Sequence, residues 1–273
     1  MKGAMIGDIV GSVYEFNNIK TTEFEMLTPK CYITDDTVLT AATANALMEF
    51  PDPENAPDCA LEAAFLRNYL EFGRRYPDMG YGGAFRGWLN ARYPKPYYSC
   101  GNGSAMRVSP VAFVATSLES ALRMARLSAR VTHNHPDGIA GAEATAGAVY
   151  LALHGASVAE IVEFVNRYYP GTCALPSLEE IRPVYSFDHF AATCEGTVPF
   201  ALRCFKEADG DFVKTIRYIV SIGGDTDTLG AIGGAIAEAY GGIPGDLWER
   251  AEEFYLPTEL AGIVKRFYNQ YGR

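Results

Sequence analysis

The sequence is short of positive charge: 23 lysines and arginines stand against 33 aspartates and glutamates, for a formal net charge of -10. Binding a phosphate backbone needs a cationic footprint, so direct nucleic-acid binding is not expected. Cysteine pairs are missing too. The 6 cysteines, Cys31, Cys59, Cys100, Cys173, Cys194 and Cys204, contain no C-x-x-C. That removes the usual signature of soft-metal sites and thioredoxin-like redox motifs and leaves free thiols. No uncharged apolar stretch reaches the length of a membrane helix. The opening segment Met1-Lys2-Gly3-Ala4-Met5-Ile6-Gly7-Asp8 carries an acid where a secretory leader needs an apolar run. A cytoplasmic monomer without membrane contact is the expectation. Gly/Ser tracts and charge blocks that would mark a linker are absent, and alternating strand patterns are scarce.

What remains reads as helix. Cys59 to Phe72 brings Leu61, Ala64, Phe65 and Tyr69 near one face. Leu118 to Val131 is similar, and Pro136 to Leu153 opens with proline followed by an acid, as helices often do. Ser157 to Tyr168, Val198 to Glu207, Phe212 to Val220, Thr226 to Tyr240 and Pro244 to Phe254 are further candidates, with Lys214 to Ile222 the best competitor for a strand. The pattern predicts an all-α fold, one compact helical domain over residues 1-273.

Two acidic turns stand out. Thr34-Asp35-Asp36-Thr37 precedes the apolar run from Val38. A single Thr or Asp suffices to cap a helix; two adjacent carboxylates between hydroxyls exceed that need. Gly223-Gly224-Asp225-Thr226-Asp227-Thr228 places alternate carboxylates on a glycine-supported turn. If the turns meet, their carboxylates raise one another's pKa unless cations sit between them. With only oxygen donors, Mg²⁺ or Mn²⁺ suits such a site better than Zn²⁺. A phosphatase-type D-x-D loop at Asp225 is set aside, because too little chain follows it for the α/β domain it requires.

Two further segments resemble ligand loops. Ser99-Cys100-Gly101-Asn102-Gly103-Ser104-Ala105-Met106-Arg107 offers close backbone approach and exposed N–H groups, suited to a diphosphate. Thr132-His133-Asn134-His135-Pro136 holds two of the 4 histidines at a helix entry. His154 and His189, each isolated, read as structural.

Taken in order, Gly7-Asp8-Ile9-Val10-Gly11-Ser12-Val13-Tyr14-Glu15, Thr34 to Thr37, Gly80-Tyr81-Gly82, Gly101 to Arg107, Thr132-His133 and Gly223 to Thr228 resemble the motifs of the ADP-ribosylglycohydrolase family. The resemblance implies a compact all-α fold and a site for two Mg²⁺, with Mn²⁺ as the alternative. It implies hydrolysis of the glycosidic bond between ADP-ribose and a modified protein side chain or small conjugate. Carried over by position, Thr34, Asp35, Asp36, Asp225, Asp227 and Thr228 would hold the metals, and Glu15, with Asp35 and Asp36, would serve catalysis. Gly101, Asn102, Gly103 and Ser104 would wrap the diphosphate and ribose. Gly80, Tyr81 and Gly82 would line the other side, with His133 at the cleft and His135 given no role.

One position departs from the pattern. Serine-ADP-ribose hydrolases of the family carry an adenine-stacking aromatic immediately before Gly-Asn, where this chain has Cys100, with Tyr97 and Tyr98 close by. The linkage cleaved (arginine, serine or ester) stays open. A catalytically silent ADP-ribose-binding module and a crystallin-like structural protein share the scaffold; the presence of Glu15 and all four aspartates argues against both.

Overall fold

The structure is a computed structural model that describes residues 1–186 and 192–272, so His189 lies outside the described residues. Its helices are α1 (Lys2–Gly11), α2 (Asp35–Met48), α3 (Asp58–Arg75), α4 (Gly83–Asn90), α5 (Gly103–Met106), α6 (Pro110–Val114), α7 (Leu118–Arg130) and α8 (Pro136–Leu153), followed by α9 (Val158–Asn166), α10 (Leu178–Ile181), α11 (Cys194–Glu207), α12 (Phe212–Ile222), α13 (Thr226–Gly241), α14 (Leu247–Tyr255) and α15 (Thr258–Tyr271). Among the described residues the β content is one isolated bridge, Gly101 to Thr193. The fold is all-α, and among the described residues no helix is long and apolar enough to cross a membrane.

Three helices form the centre. α1, α2 and α13 are buried along almost their whole lengths, which matches sequences apolar or small on every face. α1 and α13 run antiparallel, backbone against backbone. Gly3 faces Gly234, Gly7 faces Gly230 and Gly11 faces Thr226, and a Cβ on any of these three α1 glycines would overlap the opposing carbonyl. Only glycine at four-residue spacing permits that approach. It carries Asp8 and Asp227, each one residue beyond such a contact, into the same space.

The outer helices are amphipathic and individually capped. Ser117 and Asp211 accept from backbone N–H groups of α7 and α12, and Ser157 with Glu160 forms a capping box on α9. The strand competitor at Lys214 to Ile222 lies within α12, whose Thr215, Ile216, Ile219 and Val220 face the core at helical spacing. Its β-branched residues are held by burial rather than by propensity. α15 was not foreseen; it lays Leu260, Ile263, Val264 and Phe267 into the core. α11 starts at Cys194, four residues before the expected Val198, under a Thr193 cap and with Pro199 inside the helix.

Candidate active site

The site begins with Asp8, to which sequence reading assigned no role. Its fully buried carboxylate caps α2 from another helix: Oδ2 accepts from Thr34 N and Thr37 N at 3.0 Å each, and Oδ1 from the Thr34 hydroxyl at 2.8 Å. Two otherwise orphaned N–H groups of the first turn are thereby satisfied. With Asp8 occupying that end, Asp35 and Asp36 are released from capping. The Thr34 hydroxyl also lies 3.3 Å from Asp36 Oδ2.

The second acidic turn is built on Gly223 and Gly224, both at positive φ (79° and 76°), where a side chain would meet Asn18 or the Tyr185 ring. Lys20 Nζ donates to the α12 carbonyl of Ile222 at 2.5 Å and fastens the end of that helix. The Thr226 hydroxyl donates to Gly11 O at 2.8 Å. The two turns meet where Thr228 Oγ1 donates to Asp36 Oδ2 at 3.3 Å. Asn102 does not cap α5 with its side chain; Nδ2 instead donates to Asp225 Oδ2 at 2.7 Å and to Thr197 at 3.0 Å. The glycine loop and the acidic turn are thus one assembly.

Two carboxylate triplets result, Asp8 with Asp36 and Asp227, and Glu15 with Asp225 and Asp227; within each, ligand atoms lie within 4.8 Å of one another. Asp35 belongs to neither triplet. It lines the cleft, where a Cβ on Gly80 would sit 3.6 Å from its Oδ1. Burial pushes Asp8 up to about 6 against the hydrogen bonds from Thr37 and Thr34. Burial, then the charges of Asp225 and Asp8, pushes Glu15 up to about 7. Burial with Asp8 and Asp225 pushes Asp35 up to about 8. Asp36 and Asp227 lie well above the usual carboxylate range, from burial first and then from Asp8 and Asp225 respectively.

These groups cannot all ionise in one dry space without cations. Asp36 Oδ1 is buried with no partner among the described residues, a lone oxygen within a set of oxygen donors. Carboxylates and hydroxyls with no thiolate or imidazole fit a hard divalent cation.

Glu15, Asp35, Asp36, Asp225 and Asp227 line a cleft of about 830 Å³, whereas Asp8 is fully buried and does not reach it. Gly80, Gly82, Gly101, Asn102, Gly103 and His133 line it, as do Glu15, Thr34 and Thr228. Tyr81 and Ser104 do not turn their side chains into it. The Tyr81 ring stacks on Phe85 in the core at 5.3 Å, and Ser104 Oγ donates to Gly138 O at 2.6 Å. Ser104 therefore has only its backbone N–H to offer, at the start of α5 where no intrahelical acceptor exists.

Of the two tyrosines near Cys100, Tyr97 lines the cleft; Tyr98, at positive φ, packs edge-on against His135 at 4.7 Å. His135 Nδ1 accepts from Asp137 N at 3.1 Å, a helix cap outside the cleft. His154 stacks on Tyr150 at 3.9 Å. Phe16, 82% exposed, and Phe254 stand at the rim.

A family model described as ADP-ribosylglycohydrolase matches residues 1–273. The chain is 28% identical to a Mus musculus protein named ADP-ribosylhydrolase ARH3, over 99% of this chain and 91% of that one. It is 27% identical to the Homo sapiens protein of the same name, over 95% of this chain and 90% of that one. A solved structure titled ADP-ribosylglycohydrolase-related protein complex superposes with a TM-score of 0.67 at 25% identity, covering 98% of this chain and 95% of its own.

Proposed function

The chain belongs to the ADP-ribosylglycohydrolase family, and from that premise we propose a Mg²⁺- or Mn²⁺-dependent hydrolase that cleaves the N- or O-glycosidic bond between ADP-ribose and a protein side chain or small conjugate. Membership makes the chain a hydrolase of ADP-ribose glycosidic bonds. The observation that carries the finer reading is the pair of carboxylate triplets sharing Asp227, of which Glu15, Asp36, Asp225 and Asp227 line the cleft.

Two cations would be held by Thr34, Asp35, Asp36, Asp225, Asp227 and Thr228, with Asp8 supporting the Asp36 side and Glu15 the Asp225 side. Bound there, divalent ions supply the positive charge that offsets the crowded carboxylates and orients ribose hydroxyls and water. Asp8 holds the first turn of α2, and with it Asp36, against α1. Asn102 holds Asp225 and at the same time shapes the loop above it. The N–H groups of Gly103 and Ser104 receive the diphosphate. Gly80 and Gly82 leave the opposite wall open.

Cleavage at ribose C1 breaks the bond to the side-chain nitrogen or oxygen, develops oxocarbenium character, and needs a placed water to add at C1 and a proton for the departing group. Glu15 sits beside Asp225 and Asp227 yet is only partly buried. From there its carboxylate can take a proton from that water, the role a general base fills at about 10²–10⁴-fold in rate. The deciding experiment incubates chelator-treated protein with ADP-ribosylated protein, with and without Mg²⁺ or Mn²⁺. Release of ADP-ribose only with added cation supports the reading. Release at full rate without cation removes the metals from it, and no release under any condition leaves a binding module.

A further inference from the structure

Arg107 is a fully buried side chain with no carboxylate partner among the described residues. Its guanidinium lies 4.0 Å from the centroid of the Tyr69 ring. Nη2 donates to Thr132 Oγ1 at 2.7 Å and reaches the Ser128 carbonyl at 3.4 Å. Thr132 is itself fully buried, and its hydroxyl oxygen lies 2.7 Å from His133 Nδ1. Among the described residues these two are the hydrogen-bond partners of that hydroxyl. An arginine donates and cannot accept, so the hydroxyl oxygen accepts from Arg107 and its single hydrogen has Nδ1 as its acceptor. Were Nδ1 protonated, the hydroxyl hydrogen would be buried with no acceptor.

We propose that Arg107 and Thr132 are positioning residues that fix His133 as a neutral imidazole carrying its proton on Nε2, so that the cleft presents a hydrogen-bond donor at this point. Nε2 is the cleft-side atom. A Cβ on Gly103 would lie 3.1 Å from it and one on Gly101 3.5 Å from it. No protein acceptor for Nε2 occurs among the described residues. Burial, and then the Arg107 charge, holds the His133 pKa well below its ordinary value, in keeping with a neutral ring.

The ligand must therefore bring an acceptor oxygen to the glycine loop. Resting on the reading of the cleft as an ADP-ribose site, that oxygen belongs to the phosphates or to the ribose. With the other tautomer, Nε2 would accept and the same oxygen would face a lone pair. The second nitrogen of a histidine is commonly set by the bond the first one makes. Here the setting bond is itself polarised by a buried cation.

The test reads the tautomer directly. Long-range ¹H–¹⁵N correlation of ¹⁵N-imidazole-labelled protein without ligand, with His133 assigned by its loss in His133→Gln, should show a protonated Nε2 and a bare Nδ1. A His133 protonated on Nδ1, or on both nitrogens at neutral pH, overturns the proposal without any Thr132 variant. Thr132→Val keeps the shape and removes the hydroxyl. It should shift the ring toward the Nδ1–H form and raise KM for an ADP-ribose conjugate about tenfold, the worth of one hydrogen bond, with kcat within about twofold. Thr132→Ser should restore both readings. A folded Thr132→Val with wild-type tautomer and KM contradicts the relay. If the tautomer responds as expected but the wild-type protein releases no ADP-ribose, the relay stands and the hydrolase reading fails.

Discussion

Asn18 pairs its side-chain amide with both backbone polar groups of Gly224: Gly224 N donates to Oδ1 at 2.8 Å, and Nδ2 lies 3.3 Å from Gly224 O. The same Nδ2 reaches Glu15 O at 3.0 Å and Tyr14 O at 2.5 Å. One amide therefore fastens the turn that carries Glu15 to the turn that carries Asp225. Asn18→Ala should lower kcat about tenfold, in line with hydrogen bonds worth about 0.5–1.5 kcal/mol each, with a smaller change in KM. In a Glu15→Gln background the same substitution should cost nothing further, since its effect passes through Glu15. An equal loss in both backgrounds would make Asn18 a structural residue only.

Metal affinity should depend on the shared carboxylates. Calorimetric titration is expected to show Mg²⁺ or Mn²⁺ binding below the millimolar range, and Asp225→Ala should weaken binding and turnover together. Asp8→Asn should weaken binding as well and also lower stability. It replaces a carboxylate that accepts three hydrogen bonds at the start of α2, and buried polar groups left unpaired cost about 1–3 kcal/mol each. Unchanged stability in Asp8→Asn would refute the capping role.

The pH dependence of the cation-free protein follows from the raised carboxyls. Asp8 at about 6, Glu15 at about 7 and Asp35 at about 8 all bind protons more tightly folded than unfolded. Their contribution to stability is present in full below the unfolded values of 3.8 and 4.5 and is lost as pH rises toward 8. The melting temperature without divalent ions should fall across that window, and saturating Mg²⁺ should flatten the fall by binding the ionised, folded site. A melting temperature that rises with pH in the absence of cations would contradict the crowding of these groups.

Much of this site was legible in the chain. Both acidic turns carry more carboxylates than a helix cap needs, and the glycines around each are visible as turn formers. Asp8 was not legible as a functional group. A lone acid inside an apolar helix has no periodic signature, and its three donors lie 26 to 29 residues away. The inward turn of Tyr81 and Ser104 was equally hidden, because a motif fixes positions along the chain while packing against Phe85 and Gly138 fixes side-chain direction. α15 escaped notice for a related reason: its apolar face is spread among polar residues and becomes a face only against α2 and Phe113 of α6.

Substrate binding and metal binding should be separable at Gly103. A Cβ at Gly103 would press on the His133 ring at 3.1 to 3.2 Å. Gly103→Val should therefore raise KM for an ADP-ribose conjugate while leaving Mg²⁺ affinity close to wild type. Unchanged ADP-ribose affinity in that variant would remove the loop from the binding site.

On the proposed mechanism Glu15 acts on the scissile bond from beside the Asp225–Asp227 pair. Glu15→Gln preserves the shape of the side chain and removes its charge, so one paired measurement decides: turnover of ADP-ribosylated protein alongside equilibrium binding of free ADP-ribose. The kcat should fall by about 10²–10⁴-fold with ADP-ribose still bound within a few-fold of wild type. Turnover within a few-fold of wild type would contradict the mechanism and leave Glu15 a glutamate at the rim of the cleft.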